Sequence, residues 1–118
     1  METLGAFERA LSPKGDHFMR INIVGRQFEI TDPIRLHAEK KAEKLETYKK
    51  FVQQMDFRVW KESPSKEQYA VELTVDVERH EDFIAKAEGP DVYDAIDEAV
   101  TKADRQLHDH REKLKSVR

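Results

Sequence analysis

The sequence predicts an α+β domain with the element order β-α-β-β-β-α, in which two helices pack on one face of a four-stranded sheet. Residues 69–78 alternate strictly between apolar and polar, as a strand does when one of its faces is buried and the other meets solvent. Two other segments, 34–48 and 92–114, repeat apolar residues every three or four positions, which is typical of half-buried helices. Because each pattern has a single apolar side, the simplest packing places both helices on the one apolar face of an antiparallel sheet.

The first two elements are predicted from local signals. Residues 20–28 read as a strand that alternates isoleucines with polar neighbours. Thr31 or Asp32 can cap the following helix, and Pro33 fits its first turn, where a missing N–H costs nothing. This helix is expected to extend to about Lys50. Its predicted buried stripe is Ile34, Ala38, Ala42, Leu45 and Tyr48.

Three further strands and a second helix follow. Strands are predicted at 57–61, 69–78 and 83–87, separated by turn-forming residues. Asp91 is the predicted N-cap of the last helix. The buried stripe of this helix is expected to contain Val92, Ile96, Ala99, Ala103, Leu107 and Leu114, with His110 on the same line.

With 118 residues the chain is expected to form one domain, 19–118, preceded by an N-terminal extension, 1–18, without a convincing period. The absence of cysteine excludes a disulfide scaffold, a thiolate zinc site and a cysteine nucleophile. No apolar run approaches the roughly 20 residues of a membrane helix, and the N-terminus lacks the apolar stretch of a secretory signal. We therefore expect a cytoplasmic protein without a membrane partner.

The formal net charge is −3, which taken alone argues against a nucleic-acid partner. The charges are nevertheless sorted along the chain. Segments 35–50 and 102–118 each hold six basic and three acidic residues, whereas 56–98 holds five basic and thirteen acidic residues. Two basic helical segments therefore enclose an acidic stretch, whose carboxylates are expected mainly on solvent-facing strand positions and at the start of the last helix.

The basic residues fall on particular helix flanks. On a helical wheel, Lys41 and Lys44 lie on one flank of the first helix, opposite its glutamates. Lys102 and Lys113 lie on one flank of the second helix, with Arg105 further round. If the helices lie side by side, their inner flanks would form a basic groove that tracks a phosphate backbone. A solvated face with a chance imbalance is the alternative.

The sequence contains no pattern that predicts catalysis, a metal or a cofactor. His108 and His110 are two apart on a helix and point in different directions, so they cannot share a metal ion. We interpret them as weak phosphate donors or partly buried groups. Glycine-rich phosphate loops and nucleophile elbows are absent. We therefore predict a protein that is not an enzyme and takes no small-molecule substrate.

Three stretches carry a resemblance to a known family. They are 30–35 with Lys41, Lys44 and Tyr48 after it, then 87–97 (AEGPDVYDAID), then 102–107 with 113–115. Together they resemble the ribosome hibernation-promoting factor family, also called the ribosome-associated inhibitor or sigma-54 modulation family. The resemblance extends from about Met19 to Lys115.

The resemblance implies a β-α-β-β-β-α domain, compatible with double-stranded-RNA-binding-like domains. It would be monomeric off the ribosome and bind 16S rRNA on the small subunit. There it would overlap the mRNA path and the A and P tRNA sites and block translation in resting or stressed cells. The RNA-contacting positions of the family are basic residues of both helices. They correspond here to Arg35, Lys41, Lys44, Lys102, Arg105, Lys113 and Lys115, with His108 and His110 where relatives often carry lysine.

Three questions stay open at the level of sequence. The chain could be a natural short form or the N-terminal domain of a long family member, in which a further domain pairs two ribosomes. It could instead modulate sigma-54-dependent transcription by binding a protein through its acidic strand face. It could also bind double-stranded RNA of any sequence.

Overall fold

The computed structural model describes residues 20–116, so the predicted extension at 1–18 lies outside the described residues. The predicted order β-α-β-β-β-α is confirmed. The elements are β1 (Arg20–Arg26), α1 (Asp32–Ala42), a 3-10 segment (Glu43–Tyr48), β2 (Val52–Ser63), β3 (Lys66–Val77), β4 (Phe83–Gly89) and α2 (Val92–Ser116).

The four strands form one sheet in the order β1-β2-β3-β4. β2, β3 and β4 pair antiparallel, as expected, but β1 runs parallel to β2, with Ile23 opposite Phe57. The predicted all-antiparallel sheet is therefore wrong at this edge. The physical reason is the connection: α1 carries the chain back along the sheet, so β2 starts from the same end as β1.

This topology makes the two helices parallel. β1 and β4 run in the same direction, because each is parallel to β2 directly or through two antiparallel pairings. Each of these strands is followed by a helix that returns over the same sheet face. The side-chain contacts agree, since His37 of α1 meets Asp97 of α2, and Tyr48, further along the chain, meets Asp104. The two helix N-termini therefore lie at one end of the helical layer and the two C-termini at the other.

The core lies between this helical layer and the sheet. All five residues of the stripe predicted for the first helix are buried, and so are five of the six predicted for α2. Leu114 is the exception, at 51% exposed. His110 packs against Phe51 and Phe83 at the edge of the core. Leu114 lies one helical turn further along the same stripe of α2, beyond this edge, and is therefore exposed. The strands supply a second apolar layer: Ile23, Met55, Phe57, Val59, Val71, Leu73, Val75, Val77, Ala85 and Ala87.

Two element boundaries differ from the sequence prediction. The first helix narrows to a 3-10 segment after Ala42, and this keeps Leu45 and Tyr48, three residues apart, on the same buried line. β2 has twelve residues instead of the predicted five. Most of the additional residues of β2 pair with β3, which is equally long. The alternation of residues within β2 does not predict this pairing.

Glycine is required at Gly25, the penultimate residue of β1. The chain folds back so tightly, through Gln27 at φ 53°, that a Cβ on Gly25 would lie 1.9 Å from the Phe28 carbonyl oxygen. Both helix starts are capped, as predicted. The Thr31 hydroxyl accepts a hydrogen bond from the Ile34 N–H (3.4 Å), and the Asp91 carboxylate accepts one from the Tyr93 N–H (2.8 Å).

A hydrogen bond between Tyr48 and Asp104 joins the 3-10 segment to α2. The buried Tyr48 hydroxyl donates to the Asp104 carboxylate at 2.7 Å. Burial, together with this hydrogen bond and the nearby negative charge, raises the pKa of Tyr48 to about 12. The protonated phenol is therefore the form that stabilises the folded protein.

We expect Gly25→Ala to destabilise the fold strongly, because backbone atoms would have to move to admit the new methyl group. The expected loss is about 3 kcal/mol or more in the free energy of unfolding, measured by urea denaturation. Gly89→Ala is the matched control: nothing lies within 4 Å of its added Cβ, and its φ is not positive. Equal losses for the two variants would contradict the tight approach at Gly25.

We expect one of the three tyrosines to ionise only near pH 12, and Tyr48→Phe to remove that step from an ultraviolet absorbance titration. Because the folded-state pKa lies above the unfolded value of about 10, the contribution of Tyr48 is complete below pH 10. It is lost as the pH rises through 12. At pH 7 the variant should lose about 1–2 kcal/mol of stability. If no tyrosine of the unmodified protein ionised near pH 12, the Tyr48–Asp104 hydrogen bond would be contradicted.

Candidate RNA-binding surface

The groove between the helices is bounded by the sides that α1 and α2 turn toward each other. From α1 and the 3-10 segment these are the side chains of His37, Lys41 and Tyr48, and from α2 those of Asp97 and Asp104. His37 Nε2 lies 2.7 Å from the Asp97 carboxylate, and the Lys41 ammonium lies 3.9 Å from the same oxygen. The groove is therefore bridged at Asp97 by a hydrogen bond with His37 and an ion pair with Lys41.

Lys41 and Lys44 occupy the positions that the sequence predicted for them. Lys41 is on the flank of α1 that faces α2, and its side chain is 41% exposed. Lys44 precedes Thr47 by one 3-10 turn, and Thr47 contacts Arg111 of α2. Both lysines thus border the groove and remain open to solvent. Arg35 lies on the opposite flank of α1, about 120° from Lys41 at 100° per residue, and is half-buried.

The prediction that Lys102 and Lys113 line the groove is wrong. The Lys102 ammonium reaches the Lys86 carbonyl oxygen of β4 at 2.7 Å, and the Gln106 amide reaches the Ile84 carbonyl oxygen at 3.2 Å. Their flank of α2 therefore faces the outer edge of the sheet. Lys113 follows Gln106 by seven residues and shares that flank. The Lys102 side chain is nevertheless 45% exposed, so it borders the solvent-facing surface of the helices and is not buried between α2 and the sheet.

Arg111, and not Lys102 or Lys113, is the basic residue of α2 that lines the groove. It follows Asp97 and Asp104 at intervals of seven, which puts all three on the α1 side of α2. Its guanidinium lies 4.9 Å from the centre of the Tyr48 ring and donates to the Thr47 hydroxyl at 3.3 Å. Its Nε is enclosed and has no hydrogen-bond partner. The seven-residue spacing of Asp97, Asp104 and Arg111 can be read from the sequence. The sequence does not show that this side of α2 faces α1, which is what identifies Arg111 as a groove residue.

The remaining predicted residues are divided between solvent and core. Arg105 is exposed on the solvent-facing side of α2. His108 and Lys115, seven residues apart, both contact Glu112 and lie toward the α1 side. His108 lies 3.8 Å from Asp109 and from Glu112, so these carboxylates oppose any anion there. His110 is different: its ring packs against Phe51, His80 and Phe83. Of the two interpretations of His110, the structure favours the partly buried group.

The helical layer separates charge along its length. At the end with the helix N-termini lie Asp32, Asp91, Asp94, Asp97 and Glu98. Further along both helices the basic side chains outnumber the acidic ones: Lys40, Lys41, Lys44, Lys49, Lys50, Lys102, Arg105, Arg111, Lys113 and Lys115 lie there with Glu39, Glu43, Glu46, Asp104, Asp109 and Glu112 among them. The helix dipoles stabilise Asp32 and Asp94 in the first turns and Lys40, Lys41, Lys113 and Lys115 in the last turns, and the parallel arrangement places both C-termini at one end of the layer.

The solvent face of the sheet is balanced in charge and not acidic as expected. Acidic Asp56, Glu72, Asp76 and Glu88 share it with Arg20, Arg26, Arg58 and Lys86. Glu72 pairs with Arg58 at 3.1 Å and with Lys86 at 3.8 Å. The aromatic ring on this face is already engaged, since Arg26 stacks over Trp60. Tyr69 lies on the core-facing side of the sheet, where it packs edge-on against Phe28.

Two further features of residues 20–116 bear on the chemistry. A shallow hollow on the solvent side of the sheet is lined by Asn22, Val24 and Arg58 around Asp56, which accepts hydrogen bonds from the Asn22 and Gln54 amides. Within this part of the chain no three histidine or carboxylate side chains are grouped to hold a metal ion. No helix found there is long and apolar enough to cross a membrane.

Solved structures share this fold. The ribosomal subunit interface protein from Coxiella burnetii superimposes with a TM-score of 0.69 at 21% identity, over 78% of this chain and 97% of that chain. The N-terminal domain of Thermus thermophilus Protein Y superimposes with a TM-score of 0.62 at 29% identity, over 75% of this chain and 93% of that chain.

The sequence comparisons agree. The ribosome hibernation promoting factor of Escherichia coli is 38% identical over 97 residues, which are 82% of this chain and 98% of that protein. The factor of the same name from Pseudomonas putida is 34% identical over 99 residues, 84% of this chain and 93% of that protein. Residues 21–115 also match the family model described as Sigma 54 modulation protein / S30EA ribosomal protein. With that match spanning most of the chain, the protein belongs to the Sigma 54 modulation protein / S30EA ribosomal protein family.

Proposed function

We propose that this chain is a ribosome hibernation factor, which binds 16S rRNA of the small subunit in the decoding channel and inhibits translation in resting or stressed cells. The observation that carries the proposal is the gathering of basic side chains from both helices at one end of the helical layer. The relatives named ribosome hibernation promoting factor and ribosomal subunit interface protein supply the ribosome as the partner.

The surface has the form that a phosphate backbone requires. From Lys102 to Lys115 the basic residues of α2 extend over about 20 Å at 1.5 Å per residue. Lys41 and Lys44 run alongside in parallel. Each phosphate that these side chains neutralise releases counterions and adds to the affinity. An occupant of the decoding channel blocks mRNA and tRNA by volume and charge, which requires no reacting group from the protein.

Arg111 is the residue of this surface that is best prepared for binding. Its guanidinium is held by the Tyr48 ring and the Thr47 hydroxyl before any ligand arrives. A planar, pre-oriented guanidinium loses less freedom on binding a phosphate than a mobile lysine does. We therefore include Arg111 in the proposed RNA-binding set, together with Lys41, Lys44, Lys102, Arg105, Lys113 and Lys115.

The balanced sheet face gives no support to the alternative of a transcription modulator. That alternative depended on an acidic strand face, and there Glu72 is already neutralised by Arg58 and Lys86. Binding to arbitrary double-stranded RNA is distinguished by competition: duplex RNA should displace a general binder from ribosomes, but not a protein that fits the decoding channel.

We expect the charge reversal of Lys41, Lys44 and Arg105 to glutamate to abolish co-sedimentation with the small subunit at physiological salt. The logarithmic salt dependence of any residual binding should become shallower by roughly 0.7–0.9 for each phosphate that is no longer neutralised. Reversal of Arg26, Lys66 and Lys86, on the sheet and its hairpin, is the matched control and should leave binding within about twofold, since rim charges add little. Equal losses for both triple variants would refute the helical surface.

Arg111→Lys keeps the charge but loses the planar group and its stacking on Tyr48. We expect it to weaken ribosome binding by roughly tenfold, equivalent to about 1.4 kcal/mol, without changing the salt dependence. Lys115→Arg, on the same side of α2 and paired with Glu112, is the control. Binding unchanged by Arg111→Lys would show that only charge is required at this position.

We expect sucrose gradients of lysates to place this protein in ribosomal fractions from starved cells and mainly in free fractions from growing cells. The reason is competition, since mRNA and tRNA occupy the proposed site during active translation. Equal occupancy of ribosomes in both conditions would contradict the hibernation role while leaving RNA binding intact.

A further inference from the structure

Four rings from four parts of the chain meet at the C-terminal end of the helical layer. They belong to Phe51 before β2, His80 in the turn between β3 and β4, Phe83 of β4 and His110 of α2. His80 stacks on Phe83 with ring centres 4.7 Å apart. His110 meets His80 at 4.7 Å, Phe51 at 5.2 Å and Phe83 at 5.5 Å, each edge to face. The β3–β4 turn, residues 78–82, is thus packed onto α2 through two imidazoles.

The geometry of the turn presents His80 to the helix. Arg79 adopts φ 60°, and the His80 N–H closes the turn on the Val77 carbonyl oxygen at 3.2 Å. His80 Nδ1 lies 2.7 Å from the Glu81 carbonyl oxygen, which can only accept, so Nδ1 carries the proton. The neutral ring is therefore held in one tautomer against Phe83.

The charged groups that act on His110 do not favour its protonation. His80 and Lys113 are the charged neighbours that act on His110, and both lower its pKa in addition to burial, which is the largest cause. The turn also carries Glu78, Arg79, Glu81 and Asp82, and Lys49 and Lys50 precede Phe51. Among the described residues, the histidines that lie within 4.0 Å of a carboxylate are His37 and His108. Neither His80 nor His110 therefore has a carboxylate partner that would stabilise its charged form.

We propose that His110, packed against the rings of Phe51, His80 and Phe83, forms a proton-sensitive latch, which holds the β3–β4 turn against α2 while the His110 ring is neutral and releases it when that ring takes up a proton. An imidazolium enclosed by these rings is poorly solvated, and Lys113 repels it. The latch is a contact between residues distant in sequence, so its release affects the turn and the end of α2 together.

The direction of the effect follows from His110. Its folded-state pKa lies below the unfolded value of about 6.5, so folding favours the neutral ring. The stabilising contribution is complete above pH 6.5 and is lost as the pH falls through the folded-state pKa. The latch is therefore closed in neutral solution and opens in acid.

Release also changes the proposed RNA-binding surface, a consequence that rests on the proposed function. His110 follows Asp109 and precedes Arg111 on the basic end of α2, and Lys113 is its neighbour. Protonation of His110 adds positive charge at that end, where phosphates would stabilise it. Acidification of the solution should thus loosen the free protein and strengthen its binding to RNA.

The free protein provides the first test, through urea denaturation at pH 7.5 and 5.5. The unfolding constant of the unmodified protein should rise between these pH values, toward a limit of about tenfold for each unit that separates the folded and unfolded pKa of His110, which is reached only below the folded-state pKa. His110→Phe keeps an aromatic ring and should lose this rise. His108→Gln removes an exposed histidine from the same helix and should retain it. An equal rise in the unmodified protein and in His110→Phe would overturn the latch.

Proton NMR of the histidine rings provides a second measurement, which remains decisive if His110→Phe does not fold. In His80→Phe the pKa of His110 should move upward toward 6.5, because one repelling neighbour is gone. Independent titration of His110, unchanged by this substitution, would refute the coupling of the two rings.

Ribosome co-sedimentation at pH 7.5 and 6.0 tests the link to RNA. The unmodified protein should bind several-fold more tightly at pH 6.0, and His80→Phe should show a smaller gain. Absence of binding at both pH values would defeat the proposed function, while the latch would still be decided by the unfolding measurements. If the unfolding measurements showed the pH-dependent latch but ribosome binding did not change with pH, only the connection between the latch and RNA binding would be overturned.

Discussion

The constraint on which the rest of the structure depends is the burial of one sheet face by two helices that enter from parallel strands. β1 and β4 point the same way, so α1 and α2 return over the sheet side by side in the same direction. An antiparallel β1 would reverse α1 and place its basic end beside the acidic start of α2. The parallel pairing of a single edge strand therefore decides where the charges of the whole helical layer accumulate.

The charge arrangement that stabilises the helix ends also suits the proposed binding of RNA to this layer. Carboxylates at the helix N-termini and ammonium groups at the C-termini are stabilised by the helix dipoles, whatever the protein binds. With the helices parallel, the same preference builds one acidic end and one basic end. A chain with a net charge of −3 can thus present a surface that attracts phosphates, since the field near a surface depends on local arrangement and not on the sum.

The inner side of α2 shows how polar groups within the helical layer serve both folding and binding. Asp97 and Asp104 are engaged by His37, Lys41 and Tyr48, which join the helices. Arg111, next along the same line, is held by Tyr48 and Thr47, and in the proposed function the rest of its guanidinium binds phosphate. The histidine cluster closes the far end of the layer, where a change of protonation alters both the packing and the charge of the basic end.

The sequence by itself determined the element order, both caps and most of the buried positions, because these depend on local periodicity and short-range hydrogen bonds. It also identified the basic segments and, through its resemblance to known proteins, the family. Only the tertiary structure decided which flank of each helix meets the other. Lys102 faces β4 and Arg111 faces α1, because the rotation of α2 on the sheet is set by Ile96, Val100 and Ala103 packing against distant strands. The pairing of His80 with His110 arises in the same way, since thirty residues of chain separate two rings that a single turn and a helix bring into contact.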